Sequence, residues 1–479
     1  MTAVGPLDAM FLLGESREQP MHVGGLMLFE LPEGAGRDHV FPEGTRDFVS
    51  RLYHDVLDGP TVNPVFARRV RNRALDLGYW SWEHEDDIDL EYHVRLSGLA
   101  RPGRVRELFE LTSRLHGTLL DRHRPLWEIH LIEGVQGRRF AVYSKIHHSM
   151  IDGVTALKWM QDTLTTDPTK TEMPATFALP SKSHSVVDSS PGLPTVTELL
   201  AAIGRTPGRA ASAVGGTARL LTDLAGLTPV GLKSLLREHS AVAFQAPRTI
   251  FNQGITGARR FAAQSWPIER LEKVRAITGA TLNDVLLAMC SGALRNYLLE
   301  QNALPDKPLT AMVPVSLRGK DDAAPGGGNA LSTLIADLAT DEADAERRIK
   351  RITASTSYSK DVLSGLSPLQ NLMVGALGFA AAGPSAVLPG VAGHTNPPYN
   401  LVISNVPGPA ESPLYWNRSR LLGMYPASIV MNGQALNISV TSYDHELHFG
   451  LVGCRRTVPH LQRLLAHLET SLAELENIH

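Results

Sequence analysis

The stretch KIHHSMIDGV, residues 145–154, decides how the chain around it folds. Before it, LWEIHLI (126–132) and RFAVYSKI (139–146) have the composition of two strands, and the VQG between them is typical of a hairpin turn. After it, residues 154–164 have the apolar spacing of a helix. We therefore predict a strand that ends at the two histidines, followed by a short connection and a helix.

The alternation of side chains along a strand separates the two histidines. We expect His147 on one face of the strand and, on the other, Phe140, Val142, Ile146 and His148. A neutral imidazole at the end of a buried strand titrates near pH 7 and can take a proton from a hydroxyl group. His148 is therefore the candidate general base.

Two residues after the histidines are expected to shape the site. Asp152 can pair with another charge and hold the loop in its conformation. Gly153 has no side chain and is expected to permit a tight bend into the helix. We group His147 and Asp152 with His148 as catalytic candidates and assign Gly153 a supporting role.

Other interpretations of the histidine pair remain open from the residues alone. A His–His pair is often only a satisfied part of a core. Histidine and carboxylate also bind metals, but the sequence has no HExxH, no CxxC and no further His/Glu pair at helical spacing, so we expect no metal site. A Ser/His/Asp hydrolase would need a GxSxG elbow, which the sequence lacks.

Strand and helix signals alternate through both halves of the chain. Strand patterns cover residues 21–31, 309–317, 400–406, 435–443 and 447–452, and helical patterns cover 102–120, 282–298 and 461–475. The segment 271–277 leads through TGAT to the helix at 282–298. Mixed elements in two halves of similar size predict an α/β fold with two sandwich domains that face one another.

A change in composition separates the halves. Residues 165–195 are rich in Ser, Thr and Pro, which predicts a linker, and residues 195–237 resemble short amphipathic helices that connect domains or rest on a surface. We place the domains at 1–165 and 246–479, with the linker region at 166–245.

Charge and cysteine content exclude several partners and environments. The chain has 479 residues and a net charge of −3, so nothing indicates binding to nucleic acid. Cys290 and Cys454, its two cysteines, lie in apolar segments and are expected to be reduced thiols of a cytoplasmic protein.

Neither a secretory signal nor a membrane span is expected. The N-terminus has no basic segment and carries Asp8 within its apolar run. Prolines and glycines interrupt the uncharged stretch 372–392, which argues against a continuous helix of about 20 apolar residues. Residues 362–410 contain no Asp, Glu, Lys or Arg, which indicates either a buried core segment or an apolar tunnel wall or lipid-facing surface.

HHSMIDG resembles the HHxxxDG motif of CoA-dependent acyltransferases, which include chloramphenicol acetyltransferase and condensation domains of peptide synthetases. The other motifs in the chain are more specific than this one. The segments PLDAMFL…MHVGG (6–25), PLW (125–127), NDVLLA (283–288), PVSLR (314–318) and SNVPGP (404–409) resemble, in order, those of bacterial wax ester synthase/diacylglycerol acyltransferases. The resemblance covers nearly the whole chain.

The resemblance implies two chloramphenicol-acetyltransferase-like sandwich domains that face each other across a central tunnel. It also implies transfer of an acyl group from long-chain acyl-CoA to a fatty alcohol or diacylglycerol, with acyl-CoA as co-substrate and no cofactor. Such substrates are poorly soluble, so peripheral association of a cytoplasmic protein with the inner membrane or lipid droplets is expected.

Residue roles follow from the same motifs. The second histidine of the family motif falls on His148, and Asn283 matches a residue expected near the thioester, where its amide could stabilise an oxyanion. Arg318 is the expected partner of Asp152. The segment Pro125, Leu126 and Trp127 is expected to support the neighbouring strand, and Ser149 replaces an alanine that is common in the family, with little expected effect.

Two other functions remain as alternatives. The chain could be another HHxxxDG acyltransferase, polyketide-associated or condensation-type, that uses a carrier-bound donor. It could also be a catalytically silent lipid-binding relative, which the intact HHxxxDG and AsnAsp motifs argue against.

Overall fold

The fold is described from a computed structural model. It describes residues 2–33, 35, 47–58, 61–72, 80–179, 246–316, 331–365 and 396–478. The helices are α1 (Pro6–Gly14), α2 (Phe48–Leu57), α3 (Leu90–His93), α4 (Val105–His116), α5 (Gly153–Asp162), α6 (Ile268–Thr278), α7 (Leu282–Glu300), α8 (Ala345–Ser364) and α9 (Arg463–Glu476). The strands are β1 (Thr2–Ala3), β2 (His22–Glu30), β3 (Arg68–Asn72), β4 (Trp80–His84), β5 (Val94–Gly98), β6 (Trp127–Val135), β7 (Arg139–His147), β8 (Arg259–Pro267), β9 (Thr310–Ser316), β10 (Leu331–Asp337), β11 (Leu401–Val406), β12 (Tyr415–Trp416), β13 (Ser419–Ala427), β14 (Leu436–Tyr443) and β15 (Glu446–Cys454).

The first large sheet places the histidine strand at its centre. Its order is β12-β13-β2-β7-β6-β5, and β7 is antiparallel to both β2 and β6. His22 at the start of β2 lies opposite His147 at the end of β7. A separate small sheet has the order β1-β4-β3.

The second large sheet is formed by the C-terminal half, in the order β10-β9-β11-β14-β15-β8. The strand β11 is parallel to both of its neighbours, β9 and β14. In contrast, β15 is antiparallel to both of its neighbours, β14 and β8. Helix α7 packs against α6, α8 and α9 on this sheet's side of the molecule. Each half is thus a sheet covered by helices, as the sequence predicts.

The two halves are interlocked rather than simply adjacent. Strand β13, from the C-terminal half, pairs with β2 in the first sheet, with Met424 opposite Met27. It also packs against β14 and β15, and α4 packs against β8. The domain limits at 1–165 and 246–479 stay a prediction, but residues 415–427 lie in the sheet of the other half.

Strand β7 is buried on both faces, and its residues divide between two cores. Phe140, Val142 and Ile146 belong to the core of the first half. Ala141 and Tyr143 belong to the larger core, which includes the residues of α7. The phasing expected from the alternation is therefore confirmed, because Phe140, Val142 and Ile146 share one face.

Most of the elements that the sequence indicates are present. The hairpin is confirmed as β6 and β7, the helix after the histidines as α5, and the C-terminal strands and helices lie within about two residues of their expected limits at most ends. Strands β8, β10 and β13 and helices α1, α2 and α8 were not predicted. Many of these segments have neither a clear period of two nor a clean apolar stripe.

The first part of the predicted linker is packed against the rest of the protein. Thr165 exchanges backbone hydrogen bonds with Tyr415, and Phe177 is fully buried. Phe177 packs on Trp127 with ring centroids 5.1 Å apart, so an aromatic residue within a Ser/Thr/Pro-rich segment anchors it to the first half. Residues 180–245, with the expected amphipathic helices at 195–237, lie outside the described residues.

The long uncharged segment is only partly described. Of residues 362–410, the stretch 366–395 lies outside the described part of the chain, and 401–406 form the interior strand β11. Among the described helices, none by itself has the length and apolarity to cross a membrane, although the bent pair α6 and α7 meets those criteria together, with an angle of 102° between them.

Candidate active site

His148 lies immediately beyond the end of β7 and is half-buried. Its backbone N–H donates to the carbonyl of Met21 at 2.9 Å. Its imidazole stacks on the ring of Phe11, with centroids 4.1 Å apart and planes inclined by 17°. Within the described residues, no hydrogen bond from another side chain occupies its ring nitrogens.

Burial lowers the pKa of His148 to about 4. The charge of Asp152 opposes this shift, and His147 adds to it. The sequence alone suggested a pKa near 7, because it gives no measure of desolvation. His148 is thus a neutral imidazole at physiological pH, the form that can accept a proton.

His147 is fully buried and points into a different environment. Its Nδ1 accepts a hydrogen bond from the backbone N–H of Ser149 at 3.1 Å and lies 2.7 Å from Ser149 Oγ. Its Nε2 lies 3.3 Å from Glu15 Oε2. These contacts assign His147 to a structural position beside His148, and they give Ser149 a partner that the sequence did not suggest.

Asp152 is the N-cap residue of α5. Its two carboxylate oxygens accept hydrogen bonds from the backbone N–H and the hydroxyl of Thr155, each at 2.9 Å. A capping carboxylate accepts hydrogen bonds from donors at the helix start. Its negative charge also interacts favourably with the positive end of the helix dipole. The expected partner, Arg318, lies outside the described residues, so that ion pair stays a prediction.

Gly153 is the first residue of α5. Its φ angle is not in the left-handed region that favours glycine, and a Cβ added there would meet no atom of the described residues within 4 Å. The start of α5 is capped by Asp152.

The segment Pro125–Trp127 lies beside the end of β7. The carbonyl of Leu126 accepts the backbone N–H of His147 at 2.9 Å. Trp127 is fully buried, donates from Nε1 to the carbonyl of Phe66 at 2.8 Å, and stacks on His93 with centroids 4.3 Å apart. Truncation of such a buried side chain typically costs about 3–5 kcal/mol of stability.

Asn283 lies at the second position of α7 and is half-buried. The neighbouring Asp284 is buried and forms a capping box with Thr281, and it accepts a hydrogen bond from Thr356 at 2.6 Å. In the AsnAsp motif the aspartate therefore has a structural role. Asn283 belongs to the half opposite His148, and its function at the thioester remains a proposal.

Four residues near the histidines were not singled out from the sequence. Phe11 stacks on His148, and Glu15 lies beside His147. Arg68 donates to the carbonyl of Met150 at 2.9 Å and lies over the ring of Trp82. Asp8 completes the set: burial raises its pKa to about 6, with Arg68 opposing this and Asp152 adding to it. Two signals in the sequence pointed to this region: the acidic residue within the apolar run of the N-terminus and the segment PLDAMFL (6–12), which contains both Asp8 and Phe11.

Phe11 also belongs to a small apolar cluster that joins the two halves. Its buried members are Met21, Met312, Tyr399 and Met431. Met312 lies in β9 of the second sheet, whereas Met21 precedes β2 of the first. An apolar surface built from both halves therefore adjoins the ring that stacks on His148.

In the described part of the chain, no group of three or more His, Cys, Asp or Glu residues is arranged to hold a metal ion. Cys290 and Cys454 are free and buried.

This fold and this site together define a CoA-dependent acyltransferase of the HHxxxDG class. Residues 4–286 match the wax ester synthase/diacylglycerol acyltransferase catalytic domain, and residues 327–476 match the WS/DGAT C-terminal domain. The chain belongs to the wax ester synthase/diacylglycerol acyltransferase family.

Two relatives are similar in sequence to this chain over nearly its full length. The chain is 47% identical over 480 residues to a probable diacylglycerol O-acyltransferase of Mycobacterium tuberculosis, covering 99% of each chain. It is 37% identical to O-acyltransferase WSD of Acinetobacter baylyi, covering 100% of this chain and 98% of the relative. The protein is thus an O-acyltransferase.

Solved structures support the fold. The wax ester synthase/diacylglycerol acyltransferase of Marinobacter aquaeolei VT8 superposes with a TM-score of 0.75 at 39% identity, covering 99% of each chain. The starter condensation domain of rhizomide synthetase gives a TM-score of 0.52 at 13% identity, covering 100% of this chain and 97% of that one, which indicates a shared fold only. The architecture is that of two chloramphenicol-acetyltransferase-like α/β domains.

Proposed function

We propose that this O-acyltransferase transfers the acyl group of a long-chain acyl-CoA to the hydroxyl of a fatty alcohol or a diacylglycerol, forming wax ester or triacylglycerol. His148 is the general base. The observation that carries this assignment is a neutral imidazole at the end of β7 whose ring nitrogens have no side-chain partner among the described residues. The names of the full-length relatives support the substrate class.

The reaction balances with His148 as its proton carrier. The imidazole removes the proton of the alcohol while the alcohol oxygen bonds to the thioester carbonyl carbon, which leaves an oxyanion and an imidazolium. The C–S bond then breaks, and the CoA thiolate takes the proton from the imidazolium. Asp152 favours the transient imidazolium, because its negative charge raises the pKa of His148.

The oxyanion needs donors on the side of the carbonyl away from His148. We assign this role to Asn283 at the start of α7, where a side-chain amide and the positive end of a helix lie together. The cluster of Met21, Met312 and Met431 supports an adjacent acyl or alkyl chain, since methionine side chains adapt to apolar ligands of varied shape.

The water-insoluble substrates require the enzyme to work at an interface. We therefore place the protein in the cytoplasm, peripherally associated with the inner membrane or with lipid droplets, and with acyl-CoA arriving from solution through a tunnel between the two halves.

Thiol release tests the function. Purified protein is incubated with palmitoyl-CoA and either hexadecanol or diacylglycerol, and free CoA and the ester product are both measured. His148→Ala is expected to lower kcat by about 10²–10⁴-fold, as for loss of a general base. His147→Ala is the matched control and should lose less, since its ring contacts Glu15 and Ser149 instead. A larger loss for His147→Ala would overturn the assignment of the base.

A further inference from the structure

The carboxylate of Glu15 lies where α1, β2 and β7 meet. Glu15 ends α1, and only 3% of its side chain is exposed. Its Oε1 accepts a hydrogen bond from Arg122 Nε at 2.9 Å, and its Oε2 accepts one from the backbone N–H of Met21 at 3.2 Å. Burial opposes ionisation, but His147, Arg122 and Met21 together hold the pKa of Glu15 below its usual value.

One peptide group connects this carboxylate to the backbone of His148. The N–H of Met21 donates to Glu15, and the carbonyl of Met21 accepts the N–H of His148 at 2.9 Å. A shift of the Glu15 carboxylate therefore displaces the residue to which the His148 backbone is bonded.

A second connection runs through His147. The backbone N–H of Ser149 can only donate, so Nδ1 of His147 must be unprotonated and its hydrogen must lie on Nε2. That nitrogen lies 3.3 Å from Glu15 Oε2, in a favourable electrostatic contact that is not aligned as a hydrogen bond. Glu15 thus favours one tautomer of the histidine that precedes His148.

The third connection is through α1 itself. Phe11, whose ring stacks on His148, lies four residues before Glu15, and Glu15 is the C-cap residue of this helix. The end of α1 is also held by Arg122, which donates to the carbonyl of Leu12 at 2.6 Å. The ring that packs on the imidazole and the carboxylate that restrains its backbone are therefore parts of one anchored unit.

We propose that Glu15 is a positioning residue for His148. Its carboxylate, fixed by Arg122, holds Met21, His147 and the end of α1, so that the His148 imidazole keeps the position in which it meets the acceptor hydroxyl. This role rests on the proposed function of His148. An error of about 1 Å in such a position can cost on the order of 10²-fold in rate.

Glu15→Gln tests the role with little change in volume. The amide has one acceptor oxygen in place of the two that bind Arg122 and Met21, and it removes the charge that faces His147. The kcat with palmitoyl-CoA and hexadecanol is therefore expected to fall by about 10- to 100-fold. The KM for palmitoyl-CoA should change by less than about threefold, since only the orientation of the base is altered. Asp337→Asn is the matched control: Asp337 is a buried carboxylate paired with Arg351 at 2.9 Å, on the edge strand β10 of the other sheet. It should lower Tm but leave kcat unchanged.

Glu15→Asp covers the case in which Glu15→Gln does not fold. The shorter side chain keeps the charge but cannot reach both Met21 and His147, so a reduced kcat at wild-type KM is again expected. Wild-type kcat in either folded Glu15 variant, or a loss in kcat matched by Asp337→Asn at equal loss of Tm, would overturn the proposal. His148→Ala is assayed in parallel: if it retains activity, the proposed function fails, whatever the Glu15 variants do.

Discussion

At the level of single residues, the surroundings of His148 determine the pH range in which it can act. Phe11 covers one side of its ring, and burial lowers its pKa to about 4. A base must be unprotonated to take the proton of the alcohol, so activity should be lost only as the pH falls towards that value. In water, a histidine would already be half-protonated near pH 6.5.

We therefore expect kcat/KM to be nearly constant from about pH 8 down to about pH 5.5, because kcat/KM reports the pKa of the free enzyme. The measurement is the pH dependence of kcat/KM for palmitoyl-CoA, with circular dichroism at each pH to confirm that the protein is folded. Asp152→Asn should move the acid limb to lower pH, since Asp152 raises the pKa of His148. A wild-type midpoint near pH 6.5 would show that the ring is hydrated.

At the level of elements, helix α5 begins at a glycine that the backbone does not require. Gly153 has no left-handed φ, and a Cβ would meet no atom within 4 Å in the part of the chain that the structure describes. Glycine loses more conformational entropy on folding than alanine. Gly153→Ala is therefore expected to increase the free energy of unfolding by about 0.4–1 kcal/mol, measured by urea denaturation.

Gly292→Ala is the control for that substitution. Gly292 is also helical, in α7, but its Cβ would collide with the side chains of Ser471 and Arg348, so alanine should destabilise the protein. If Gly153→Ala were destabilising as well, the bend inferred from the sequence would after all need a glycine. A loss of activity in a stabilised Gly153→Ala protein would indicate that substrate occupies the open space.

At the level of the whole molecule, the net charge of −3 gives no electrostatic reason to bind an anionic surface. Apolar contact is the remaining means, and Leu13, on the same helix as Phe11, is 65% exposed. Apolar burial contributes about 25 cal/mol per Å² and does not depend on salt.

High-salt washing is therefore expected to leave the protein on membranes or lipid droplets, whereas mild detergent should release it. The measurement is the distribution of the protein between pellet and supernatant after each treatment. Release by salt would indicate electrostatic binding, and full solubility in the presence of lipid droplets would rule out the association.

The hairpin and the orientation of its second strand could be predicted, and His148 could be named as the candidate base, because each depends on residues close together in the chain. The period of two along residues 139–147 is enough to place Phe140, Val142 and Ile146 on one face. The order and spacing of the motifs likewise made it possible to predict the family. Local patterns carry this information because backbone geometry repeats over two to four residues.

The environment of the base, in contrast, depends on residues that meet only in the folded chain. Phe11 and Glu15 lie more than a hundred residues before His148, and β13 reaches the first sheet from beyond residue 415. The desolvation of His148, the tautomer of His147 and the role of Gly153 depend on contacts of this kind. No local period encodes them, because burial and electrostatic fields are sums over neighbours in space and not along the sequence.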